Sequence, residues 1–99
     1  DTATAARGFA NGLWACELAG PRRAVTRHFF RAPVLAEVCG PCFTPDDTTL
    51  FVSIQHPGAD FYGTTFARPR TRWPDFAPGI PPRSAVVAIT KNDGGPIGG

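Results

Sequence analysis

Five short stretches of the chain read as strands, and three of them alternate side chains between two faces with a period of two, the pattern of strands half-buried against a core. The cleanest covers residues 49–55, where Leu50, Val52 and Ile54 share one face and Phe51, Ser53 and Gln55 the other. A stretch at 38–43 precedes it, with Pro45, Asp46 and Asp47 as the turn between them. Nearer the start, residues 13–18 align Trp14, Cys16 and Leu18 on one face. Gly20, Pro21, Arg22 and Arg23 then turn the chain into a run at 24–31, where Val25, Arg27 and Phe29 alternate with Thr26, His28 and Phe30 until Pro33 stops it. The last run, 84–90, is β-branched and apolar and enters a turn that ends in Gly94 and Gly95. No stretch carries a convincing helical period, so the predicted class is all-β.

Residues 56–83 form a long Pro-, Gly- and aromatic-rich connection containing Phe61, Tyr62, Phe66, Trp73 and Phe76. A connection of that length is functional or disordered in most compact domains, and its aromatics favour an ordered lid. Five strands are an odd set for an independent sheet, because raw edges remain. Successive hairpins with tight turns suit a partial β-propeller of about one and a half blades of antiparallel strands. Residues 13–31 are expected to form the outer two strands of one blade and 38–90 the inner three of the next. The remaining strands would come from a longer parent chain.

The composition sets bounds. Ninety-nine residues make one small domain at most, burying about 60–65% of the surface that the unfolded chain exposes. Methionine is absent even at position 1, so the chain is not expected to begin at an untrimmed translation start. The opening residues lack the apolar core of a signal peptide, and no run nears the roughly 18 apolar residues of a membrane span. The net charge is +2. The arginines are scattered apart from Arg22–Arg23 and the Arg68, Arg70, Arg72 run, which suits solvated side chains and no nucleic-acid partner. Three cysteines imply neither a disulfide framework nor a zinc ribbon.

Candidate chemistry gathers at one end of the central hairpin. Glu37 precedes the strand at 38–43, while Gln55 and His56 follow its partner, so antiparallel pairing brings all three to one end. In a propeller that end opens beside the central channel. Asp46 and Asp47 lie at the opposite end and suit turn formation, their carboxylates binding backbone amides. Glu37 suits a ligand for a hard cation such as calcium, or a plain rim residue. For His56 the options are contact with a phosphoryl oxygen, acid–base work, metal ligation, or bracing of the loop before Pro57. His28, between Arg27 and two phenylalanines, suits a structural or exposed role.

Cys39-Gly-Pro-Cys42 spells the dithiol motif of thioredoxin, where the first cysteine starts a helix that lowers its pKa. Here Pro45 and two aspartates follow and forbid that helix, and Val38 stands where thioredoxin has tryptophan. Two buried or semi-buried strand cysteines are therefore expected in place of a redox module.

Glu37-Val-Cys-Gly-Pro, Phe43-Thr-Pro-Asp46, Thr49-Leu-Phe-Val52, Gln55-His-Pro-Gly58, Arg72-Trp-Pro-Asp75 and Gly94-Gly-Pro-Ile-Gly98 stand in order along the chain. In these the sequence resembles the C-terminal part of the PhoX-like alkaline phosphatase family, bacterial β-propeller proteins, over residues 11–98. The resemblance implies that residues 1–99 are a single segment, the C-terminal fragment of a larger β-propeller domain. It implies a parent that hydrolyses phosphate monoesters with calcium and iron at the channel mouth and is periplasmic or secreted. It further implies Glu37 as a metal ligand and His56, Gln55 and Arg72 as substrate contacts, with the remaining propeller blades as partners and the fragment inactive alone. A non-catalytic propeller scaffold or ligand-binding protein of the same family is the alternative. The absence of a nucleophile elbow and of a Walker loop agrees with metal-assisted chemistry.

Overall fold

The structure, a computed structural model, describes residues 11–58 and 65–98. Among these residues all regular structure is β, in five strands: β1 (Gly12–Cys16), β2 (Thr26–Arg31), β3 (Glu37–Phe43), β4 (Thr49–Gln55) and β5 (Ala85–Thr90). β1 and β2 form a two-stranded antiparallel sheet, and β3, β4 and β5 a three-stranded one with β4 in the middle. The division into a pair and a triplet follows the expected blade boundary.

β4 lies centrally because its alternation is the most regular in the chain. Leu50, Val52 and Ile54 are the largest fully buried side chains. Ala32 and Ala36 complete the buried cluster, and Leu13, Phe30, Val38, Trp73, Val87, Ile89 and Ile97 pack around it. Burying each large aliphatic side chain contributes about 1.5–3 kcal/mol, which makes this one face the main source of stability. The opposite face of the same sheet is uncovered: Phe51 is 40% and Val86 68% exposed. A blade whose second face normally meets another blade has this asymmetry.

The turn between β3 and β4 is held by one carboxylate. Asp46 Oδ1 accepts hydrogen bonds from Thr44 Oγ1 at 2.7 Å, Thr48 Oγ1 at 2.9 Å and the Thr48 amide at 3.2 Å. These donors hold the Asp46 carboxyl below its ordinary pKa, the Thr44 hydroxyl contributing most. Asp47 follows in the left-handed region at φ 57°. The Asp46 carboxylate binds a backbone amide, as expected of both acids, whereas Asp47 serves the turn through its backbone, and the tail is fastened here by the Ile97 amide, 2.8 Å from the Asp47 carbonyl.

The first hairpin departs from the expected facing. Its register slips between Leu13 and Trp14, so that Leu13 pairs with Phe30 and Trp14 with His28, leaving Phe29 as an extra residue on β2. Leu13 and Phe30 therefore turn toward the core. Trp14 is 62% exposed and Leu18, beyond the end of β1, is 85% exposed. Trp14 and Cys16 lie exposed on the one face that a period of two assigned them, and the bulge alters β2, where His28 and Phe30, expected together, now pair with Trp14 and Leu13 on opposite faces. Trp14 stacks on His28, with ring centroids 4.6 Å apart.

The Cys39-Gly-Pro-Cys42 segment is a second bulge. Cys39 pairs with Ser53 and Cys42 with Phe51, so Gly40 and Pro41 together occupy one position of the ladder, and Gly40 takes φ 58°. No helix begins at Cys42. Cys39 is half-buried, within the expected range, whereas Cys42 is exposed and corrects the expectation of a buried or semi-buried thiol there. Both stand on the uncovered face of the sheet, where the bulge keeps them.

Within the described part of the long connection, residues 65–83, local bonds replace strands. Arg83 binds Asp75 through two nitrogens, at 2.8 and 3.0 Å, and Arg72 Nη1 donates to the Ile80 carbonyl at 2.9 Å. Trp73 packs on the core, whereas Phe66 and Phe76 are 67% and 68% exposed. Of the aromatics expected to order this segment, Phe61 and Tyr62 lie outside the described residues.

Candidate functional site

The central hairpin's open end is assembled by register. Glu37 is the first residue of β3 and pairs with Gln55, the last of β4, so their side chains emerge on one face. His56 follows directly, and its Nε2 lies 3.4 Å from Glu37 Oε2. Both side chains are about half exposed, 47% for His56 and 53% for Glu37. Such a pair adds little to stability, about 0–1 kcal/mol, and leaves carboxylate oxygens open to other partners.

The backbone around the pair is held from several sides. His56 adopts φ 33° and Leu35, two residues before Glu37, φ 55°, both in the left-handed region that side-chain-bearing residues avoid. The His56 amide donates to Ser84 Oγ at 3.1 Å, and the Gly58 amide donates to the Val34 carbonyl at 2.7 Å. This second bond ties the exit from β4 to the entry into β3. Asn11 Oδ1 accepts from the Val38 amide at 3.0 Å, on the first rung beyond Glu37. At Gly58, φ is 71° and a Cβ would come 2.9 Å from Thr71 Cγ2 and 3.2 Å from its amide nitrogen, so only glycine fits.

Gln55 and Arg72 are placed differently from His56. Gln55 Nε2 donates to Cys39 Sγ at 2.8 Å, which directs its amide along the uncovered face of the sheet. Arg72 is engaged with Ile80 and, among the described residues, makes no bond to Glu37, Gln55 or His56. The structure thus brings together Glu37, Gln55 and His56, while Arg72 braces its own loop. Sequence reasoning missed Ser84 and Asn11, which act through a single hydroxyl and a single amide oxygen. The only signal for Ser84 is its place at the start of β5, opposite the end of β4.

A metal shell is incomplete here. Among the described residues no group of three or more histidine, cysteine, aspartate or glutamate side chains is arranged to hold an ion. A calcium ion takes six to eight oxygen ligands, of which this hairpin offers the Glu37 carboxylate. The residues present therefore do not fit a calcium–iron cluster on their own.

Comparison with known proteins bears directly on this hairpin. The family profile "Alkaline phosphatase PhoX" matches residues 2–58, more than half of the chain and inclusive of Glu37, Gln55 and His56. Among solved structures, the chain is similar to "Pseudomonas fluorescens PhoX in complex with vanadate, a transition state analogue", with 42% identity and a TM-score of 0.63. That likeness covers 81% of this chain and 12% of the other, so the chain spans about an eighth of that structure's length. No curated protein matches at a significant level. The architecture agrees with a propeller segment of such a protein, two antiparallel sheets of two and three strands. On the profile match and the sequence identity together, the chain belongs to the alkaline phosphatase PhoX family.

Proposed function

We propose that the chain is the C-terminal segment of a β-propeller phosphatase that hydrolyses phosphate monoesters with the help of bound metal, and that it is inactive by itself. The observation that carries this reading is the meeting of Glu37 and His56, 3.4 Å apart, at one end of the central hairpin. The match to the alkaline phosphatase PhoX family supports it, as does the likeness to a structure described as holding a transition state analogue.

Each residue has a role under this reading. Glu37 supplies one carboxylate oxygen to a cation whose other ligands lie in the remaining propeller blades. Calcium and iron are the expected metals, and when bound they would neutralise the negative charge of the transferring phosphoryl group. His56 binds a phosphoryl oxygen or moves a proton at the leaving oxygen through its imidazole. Gln55 offers its amide hydrogens to the same group. Arg72 contributes positive charge from the long connection if its guanidinium leaves the Ile80 carbonyl. The parent protein is proposed to work in the periplasm or outside the cell.

The complete gene product, assayed with a chromogenic phosphate monoester, should turn over substrate and lose activity with chelator, whereas residues 1–99 alone should show none. Full activity in both Glu37→Gln and His56→Ala variants of the complete protein would sink the residue assignment. Failure of the complete protein to hydrolyse any monoester would sink the reaction. Cell fractionation checks the compartment.

A further inference from the structure

We infer that Ser84 is a positioning residue for His56, setting the imidazole toward Glu37 by capping the end of the β4–β5 ladder. The inference rests on the proposed role of His56 at the phosphate site, although its structural half stands without that role. Ser84 acts through the backbone of His56, accepting a hydrogen bond from its amide.

The ladder explains why a hydroxyl is needed. β4 and β5 pair residue by residue from Thr49 with Thr90 to Ile54 with Ala85, and the next step along would set Gln55 beside Ser84. There the pairing stops. His56 turns out of the sheet at φ 33°, a conformation that persists for a residue with a side chain only where its surroundings over-determine it. Its amide hydrogen can no longer reach a β5 carbonyl in strand geometry. Ser84 Oγ takes that carbonyl's place as acceptor at 3.1 Å, although the two residues stand 28 positions apart in the chain. The Gly58 amide, bound to the Val34 carbonyl at 2.7 Å, fixes the other side of the same turn. Between these two bonds the Cα–Cβ direction of His56 is set, and Nε2 arrives 3.4 Å from Glu37 Oε2. Ser84 is exposed, so its hydroxyl contributes this bond and no core packing.

The test compares Ser84→Ala, which removes the acceptor, with Ser84→Thr, which keeps it, both in the complete gene product. The imidazole carbon–proton resonance of His56 is assigned by its loss in His56→Ala. It should move in Ser84→Ala and stay near its original position in Ser84→Thr, and exchange of the His56 amide should quicken in the alanine variant alone. Turnover of a phosphate monoester should fall roughly tenfold in kcat for Ser84→Ala with KM little changed, the size expected for one hydrogen bond, and be restored by Ser84→Thr. An unmoved resonance and unchanged amide exchange in Ser84→Ala would overturn the inference. A moved resonance with His56→Ala fully active would uphold the positioning while removing His56 from the reaction.

Discussion

Glu37 and His56 face each other across 3.4 Å because the hairpin that carries them pairs Glu37 with Gln55 and then turns sharply at His56. The relationship depends on antiparallel register and on a left-handed backbone at one histidine, so it responds to changes at either.

Removing either partner should affect chemistry far more than folding. Glu37→Gln and His56→Ala are expected to lower kcat/KM of the complete protein toward a phosphate monoester by about 100-fold or more, the scale of a lost acid–base group or metal ligand. Both side chains are half exposed, so thermal unfolding should move little. Steady-state kinetics beside calorimetry separates the two effects.

The core makes the opposite prediction. Leu50 is 2% exposed and belongs to the buried cluster. Leu50→Ala should cost about 2–5 kcal/mol through lost contacts and a residual cavity. Urea denaturation should show a lower midpoint with an unchanged slope.

Two glycines with similar backbones should behave differently. Gly40 and Gly58 both have positive φ, 58° and 71°. An added Cβ at Gly40 would meet only Ser53 Oγ at 3.9 Å, whereas at Gly58 it would press on Thr71 at 2.9 Å. Gly40→Ala should therefore cost about 1–2 kcal/mol, the left-handed penalty alone. Gly58→Ala should cost more and should also disturb the His56 turn, which paired denaturation and activity measurements would reveal.

Acid should loosen the loop that Arg83 and Asp75 close. The hydrogen bonds from Arg83 hold the Asp75 carboxyl below its ordinary value, and Asp75 in turn raises that of Arg83. A depressed carboxyl in the folded state means that the pair's full effect is present above the unfolded carboxylate value, near pH ~4, and fades as pH falls through the lower folded one. The effect is small because the ion pair lies at the surface. Fluorescence of Trp73, read in a Trp14→Phe background, should change in acid. Asp75→Asn should give that acid-like signal already at neutral pH.

Thiol reactivity should follow exposure. Cys16 and Cys42 are exposed, while Cys39 is half-buried and its sulfur accepts from Gln55 Nε2 at 2.8 Å. Alkylation followed by mass spectrometry should label Cys16 and Cys42 before Cys39. Preferential labelling of Cys39 would mean that its surroundings activate the thiol.

The amino-acid order alone determined the parts of this protein that depend on neighbours in the chain. Period-two alternation at Leu50, Val52 and Ile54 specified the core strand, and Pro45 with two aspartates specified its turn. Once that turn is known, antiparallel pairing brings Glu37, Gln55 and His56 to one end of the hairpin, so that neighbourhood was legible, while the Gly40–Pro41 bulge decided that Glu37 pairs with Gln55. Tertiary structure decided whatever depended on a slipped register or a distant partner. The bulge at Phe29 set His28 and Phe30 on opposite faces, and the Gly40–Pro41 bulge left Cys42 exposed. Ser84 reaches His56 only because β5 returns alongside β4 after the long connection. A single extra residue reverses every facing beyond it, and one hydroxyl leaves no periodic trace, so neither can be read before the strands are paired.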